Sequence, residues 1–222
     1  MSETLAAQLA ERNQANRARI PQAALRTLDD ATATLVDSGR ADAGLAVGDA
    51  MPDFTLPDHT GNDVSLSSLL ARGPVVVSFY RGGWCPYCSL ELRALQTRLE
   101  EITAAGATLV AISPQTPDDS LSTAEKLELR FPVLSDVGNV VADKLGLVFT
   151  IPEPLREVYQ GFGIDLPAAN GDHSFRLPIP ATYVLGRDGT VLWRHVDPDY
   201  TRRAEPDDVL AALRAAAAGL PR

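Results

Sequence analysis

The sequence predicts an α/β fold: a central mixed sheet flanked by helices, preceded by an N-terminal helical extension. Three observations lead there. Apolar, β-branched runs at 74–80 (PVVVSFY) and 107–113 (ATLVAIS) read as strands buried on both faces. Segments of helical periodicity follow each of them, which requires crossover connections and a partly parallel sheet. Near the C-terminus, two strand-like runs at 181–185 and 190–196 flank Gly186-Arg187-Asp188-Gly189, a hairpin signal that adds antiparallel pairing.

The N-terminal 46 residues read as two helices, over about 3–17 and 21–39. The second carries Leu25, Leu28, Ala31 and Leu35 as its apolar stripe and Pro21 in its first turn. They read either as an oligomerisation arm or as a hairpin packed on the rest, and 39–48 reads as a connector. The α/β domain is expected over 47–222. Residues 51–56 alternate as an edge strand before a turn at Pro57, Asp58 and Gly61, followed by a short strand and one helical turn. Leu92, Leu95, Leu99 and Ile102 mark a helix after the first buried strand. Further helices are expected at about 117–129, 139–145 and 206–218, with a short strand at 131–134. Between about 148 and 177 periodicity is lost and Pro and Gly are frequent, which marks an insertion. It reads either as a lid bearing Phe149, Tyr159 and Phe162 or as a packed excursion.

At 222 residues and 45% hydrophobic content the chain can bury a real core. Its net charge of −9, with arginines interspersed among acids, disfavours a nucleic-acid surface. No run approaches the length of a membrane-spanning helix, and the N-terminus lacks the basic and apolar regions of a signal peptide, so a cytoplasmic address is expected. In that reducing compartment a lone cysteine pair is catalytic or metal-binding more often than a structural bridge.

That pair is Cys85 and Cys88, both of the chain's cysteines, in Trp84-Cys85-Pro86-Tyr87-Cys88 at a strand-to-helix junction. Pro86 suits the first position of a helix, so both sulfurs fall at or just inside a helix N-terminus. Orphan N–H groups and the helix dipole there favour a thiolate, and a C-x-x-C spacing brings two sulfurs within bridging distance. Cys85 is expected near the N-cap and more exposed, Cys88 in the first turn. Arg81 offers a cationic partner. A zinc site would need two further ligands, and His59, His173 and His195 are scattered, so no metal and no cofactor are expected. Redox chemistry leads.

The strand, W-C-P-Y-C and helix together resemble the thioredoxin superfamily, as does Ile179-Pro180-Ala181-Thr182-Tyr183-Val184-Leu185, which resembles the strand that a cis-proline introduces in those folds. The resemblance therefore implies a thioredoxin-like fold and a cis Ile179–Pro180 bond. Met51-Pro52-Asp53-Phe54-Thr55-Leu56, and Ala111-Ile112-Ser113-Pro114 leading to Phe131-Pro132-Val133-Leu134-Ser135-Asp136, resemble the peroxiredoxin branch, the alkyl hydroperoxide reductase and thiol-specific antioxidant family.

The resemblance implies a thiol peroxidase acting on hydrogen peroxide or alkyl hydroperoxides, recycled by thioredoxin or a similar reductant, with a homodimer as a common assembly. Laid on the family's motif, Cys88 followed by Glu91 takes the peroxidatic place and Cys85 the resolving role, where the family has threonine. Arg81 stands where it has proline, and Pro180 where it has its supporting arginine. Arg81, Trp84 and Pro180 are thus the supporting candidates, with Arg81 or Arg176 supplying the missing positive charge. Exposure favours the reverse order, in which Cys85 attacks first and the protein is a dithiol-disulfide oxidoreductase. A non-enzymatic redox sensor is the third class.

Overall fold

The computed structural model of the chain describes residues 3–42 and 44–219. The expected connector 39–48 includes Ala43, which lies outside the described residues. Helix α1 (Leu5–Arg19) is capped by Thr4, whose hydroxyl accepts from the Ala7 N–H, and by the distant Glu205 carboxylate, which accepts from Leu5 and Ala6. Helix α2 (Gln22–Asp37) buries Leu25 and Leu28 of the expected stripe. A bidentate Arg17–Asp29 pair at 2.7 and 2.9 Å joins the two helices. The hairpin lies on the rest of the molecule: Leu5 and Leu9 enter the core beneath the cysteines, and Leu28 packs in the cluster that holds Leu155 and Tyr159.

Beyond it, β1 (Thr55–Pro57) and β2 (Asp63–Ser65) form a small antiparallel ribbon, followed by α3 (Leu66–Leu70). Then come β3 (Val75–Phe79), α4 (Pro86–Thr97), α5 (Leu99–Ala104), β4 (Thr108–Ser113), α6 (Pro117–Lys126), β5 (Val133–Ser135) and α7 (Val140–Lys144). The helix expected through Ile102 is broken at Arg98, where the backbone leaves helical geometry (φ −105°, ψ 7°).

Residues 148–177 are not irregular: β6 (Val148–Thr150), α8 (Glu153–Gly161) and α9 (Leu166–Asn170) precede β7 (Arg176–Pro178), which pairs antiparallel with β6. Leu155, Tyr159 and Leu166 are buried in a core of their own, while Phe162 is exposed. The segment is a packed excursion. Its short helices, each opening near a proline, lacked the length to declare themselves by periodicity.

Strand β8 (Ala181–Leu185), β9 (Val191–Val196) and helix α10 (Pro206–Ala217) complete the chain. The central sheet runs β5-β4-β3-β8-β9, with β3, β4 and β5 parallel and β8 and β9 antiparallel. Every residue of β3 and β8 is buried, as strands covered on both faces require. The expected cis bond is absent: Ile179–Pro180 is trans. Ile179 donates to the Leu147 carbonyl at 2.8 Å, so β7 runs into β8 as extended chain and the turn a cis-proline would make is not needed. Among the described residues, no helix is long and apolar enough to cross a membrane.

Candidate active site

Strand β3 ends at Phe79, and the chain crosses the sheet's edge through Tyr80-Arg81-Gly82-Gly83-Trp84 before α4 begins at Pro86. Gly83 is required by close approach, since a Cβ there would lie 2.2 Å from Thr123 Oγ1 on α6. Its N–H donates to Gln115 Oε1 at 2.8 Å, which fixes the loop. Cys85 is the N-cap of α4 and Cys88 its third residue; both are free thiols. The expected exposure of Cys85 is not found: Cys85 is 2% and Cys88 0% exposed, both inside the core cluster that Leu5 and Leu9 of α1 enter.

Two arginines face the sulfurs. Arg203, on the loop between β9 and α10, donates from Nη2 to Cys88 Sγ at 3.3 Å, and its Nη1 donates to the carbonyls of Tyr200 and Arg202. Its Nε lies 2.7 Å from Glu91 Oε2, paired by proximity of charge without an aligned hydrogen bond. Glu91 Oε1 accepts from Thr182 at 3.2 Å. Burial opposes ionisation of Cys88, yet the hydrogen bond from Cys85, the Arg203 charge and the Arg81 backbone N–H outweigh it and hold the thiol well below its ordinary range. Burial, and the Cys88 sulfur it faces, push Cys85 well up. One sulfur is therefore held as the anion and its neighbour as the proton-bearing thiol. Burial, despite Arg203, pushes Glu91 up to about 7.

Arg81 is 2% exposed and hydrogen-bonds to the Tyr159 hydroxyl. Its guanidinium carbon sits 4.5 Å from the Tyr200 ring centre, 5.3 Å from that of Trp84 and 5.6 Å from that of Tyr159. Its Nε has no partner. Pro180 shares a cavity wall with Arg81 and Tyr200. The structure thus gathers Cys85, Cys88, Arg81, Trp84 and Pro180 in one region. Arg176 is elsewhere, on β7 and paired with Asp143 at 2.5 Å, so it supplies no charge to the sulfurs. Arg203 is the residue the sequence left unnoticed. It stands 115 residues from Cys88 in a stretch without periodicity, and only the hairpin topology returns it to α4.

The model of the AhpC/TSA family matches residues 47–194, about two thirds of the chain. The chain belongs to the AhpC/TSA family. Among its relatives, the chloroplastic peroxiredoxin Q of Gentiana triflora is 33% identical over 149 residues, 67% of this chain and 58% of that protein. The peroxiredoxin Q of Sedum lineare is 34% identical over 149 residues, 67% of this chain and 68% of that protein. The match thus spans less than two thirds of the Gentiana relative's length. The crystal structure of peroxidoxin BcpB from Mycobacterium tuberculosis superposes with a TM-score of 0.61 at 28% identity, covering 77% of this chain and 97% of that one. Peroxiredoxin Q of Xanthomonas campestris, at TM-score 0.58 and 21% identity, shares the thioredoxin-like fold, covering 78% of this chain and 98% of that one. Helices α1 and α2, Tyr200 and Arg203 all lie outside the segment that the AhpC/TSA model matches.

Proposed function

We propose that the chain is a thiol peroxidase in which Cys88 is the peroxidatic and Cys85 the resolving cysteine. The observation that carries this reading is the hydrogen bond from Arg203 Nη2 to Cys88 Sγ at 3.3 Å, which favours the thiolate at Cys88 rather than at Cys85. The Cys88 thiolate attacks the distal oxygen of a hydroperoxide, the S–O bond forms as the O–O bond breaks, and the alkoxide or hydroxide that leaves takes a proton from solvent. Sulfur is oxidised to the sulfenic acid. Cys85 then displaces water from that sulfenic acid to give the disulfide, and an external dithiol of thioredoxin type reduces it, becoming a disulfide itself. Arg203 and Arg81 stabilise the developing negative charge, Glu91 positions Arg203, and Trp84 and Pro180 shape the approach. The proposed address is the cytoplasm, where such thiols stay reduced.

Peroxide consumption coupled to a thioredoxin and its reductase tests the activity. Cys88→Ser should form no sulfenic acid with hydrogen peroxide, whereas Cys85→Ser should complete one turnover and stop at the sulfenic acid. Rapid reaction of Cys88→Ser with peroxide would sink the assignment. A second reading, dithiol-disulfide oxidoreductase, is favoured by Cys85 lining the adjoining cavity. It requires wild-type protein to reduce insulin-type disulfides while consuming peroxide no faster than free thiol.

A further inference from the structure

The hydrogen bond from Arg203 to Cys88 joins two separate elements, the loop between β9 and α10 and the first turn of α4. Arg203 does not reach freely from its loop. Its Nη1 donates to the carbonyls of Tyr200 and Arg202, so the guanidinium moves with the backbone of 200–203. The position of the loop therefore sets the contact with the sulfur. Each of the two elements is in turn tied to α1.

The first turn of α1 carries no acidic residue of its own. The carboxylate its N–H groups meet is that of Glu205, two residues beyond Arg203: Oε2 accepts from Leu5 at 3.2 Å and Oε1 from Ala6 at 2.6 Å. Ala204, between them, is buried with Leu5 and Leu9 in the core cluster that also holds Tyr87 and Cys88. About three turns further along α1, Asn16 donates from Nδ2 to the Tyr87 hydroxyl at 3.3 Å, and that hydroxyl donates to Asn13 Oδ1 at 3.2 Å. Tyr87 immediately precedes Cys88 on α4. Its ring also meets that of Tyr200 edge-on, centres 5.5 Å apart, which joins α4 to the Arg203 loop a second time. One end of α1 thus holds the donor's loop, and its later turns hold the acceptor's helix.

We propose that α1 is a brace for the hydrogen bond between Arg203 and Cys88, with Glu205, Asn13 and Asn16 as positioning residues. The proposal rests on the reading of Cys88 as the thiolate and deepens it, because α1 and Glu205 lie outside the segment that the AhpC/TSA model matches. Charge and position give opposite signs for Glu205. As a bare charge, its removal would favour the Cys88 anion. As the anchor of the Arg203 loop, its removal loosens the donor and disfavours the anion.

The test is an ultraviolet thiolate titration in the Cys85→Ser background, where Cys88 is the only thiol. Glu205→Ala should lower the ionisation constant of Cys88 by about tenfold, the scale of one hydrogen bond to a charged group. Glu205→Gln removes the same charge but keeps an acceptor for one N–H, and should stay within about threefold of the parent. The double variant Asn13→Ala/Asn16→Ala, which frees the other end of the brace, should also lower the constant by about tenfold, and it decides alone if Glu205→Ala does not fold. In an Arg203→Gln background neither change should have any further effect, since the bond they position is gone. A constant that rises or stays unchanged in these variants, or that falls equally with and without Arg203, overturns the proposal. The readout is ionisation and not turnover, so a protein that consumes no peroxide would end the peroxidase reading and leave this test standing.

Discussion

Replacing Arg203 by Gln removes the full charge that faces Cys88 while keeping a donor of similar reach. Ultraviolet titration of the thiolate should then show the Cys88 pKa rising. The rate of sulfenic acid formation at neutral pH should fall by about 10²-fold, the scale on which a single electrostatic donor matters in a buried site. An unchanged thiolate titration would assign the depressed pKa to Cys85 and Arg81 instead. Glu91, beside the same guanidinium, gives a prediction of opposite sign. Its folded-state pKa lies above the ordinary carboxylate value, so its contribution to stability is full below about pH 4.5 and is lost as pH rises to about 7. That loss is on the order of 3 kcal/mol. Urea unfolding of wild type and Glu91→Gln across this range should give curves that coincide near pH 4.5 and diverge toward pH 7, the variant losing less. Parallel curves would mean that Glu91 ionises normally.

At the scale of elements, the loop from β3 to α4 depends on its approach to α6. Gly83→Ala places a methyl against Thr123, and the displacement should lower stability by about 1–3 kcal/mol and slow peroxide reduction, because Trp84 and Cys85 ride on that loop. Wild-type stability in this variant would show that the loop moves freely. The same loop marks how far the sequence could be read. The buried strands β3 and β4, the β8–β9 hairpin and the C-x-x-C at a helix head were legible because their signals are local: β-branched runs, a Gly-Arg-Asp-Gly turn and a proline at a first helical position. The packed β6–α8–α9–β7 excursion was not, since each piece is shorter than the window that periodicity needs. The trans bond before Pro180 was missed because it depends on a β6–β7 pairing invisible to the proline itself. Arg203 escaped for a related reason. A buried arginine in an irregular loop has no sequence signature, and its partners Cys88 and Glu91 lie more than a hundred residues away. Burial of Cys85 likewise comes from tertiary packing, since Leu5 and Leu9 of α1 enter its core cluster from more than seventy residues away.

For the molecule as a whole, oxidation of the pair should be a change of charge with little change of shape. Cys85 at the N-cap and Cys88 in the first turn stand at the C-x-x-C spacing that a bridge spans within one helical turn, so closing it asks no element to move. Far-UV circular dichroism of the reduced and oxidised proteins should therefore coincide, and a loss of helical signal on oxidation would show that α4 unwinds. The electrostatic consequence is larger. The Cys88 thiolate raises the Glu91 pKa, so removing that anion leaves Glu91 as the acid facing Arg203 and lowers its pKa. Near pH 7 disulfide formation should thus release a proton from Glu91, seen in an oxidised-minus-reduced infrared difference spectrum as the loss of a protonated carboxyl band. The band should be missing from the spectrum of Glu91→Gln. If it persists in that variant, the proton belongs to another acid and the coupling of Cys88, Arg203 and Glu91 is not as the geometry implies.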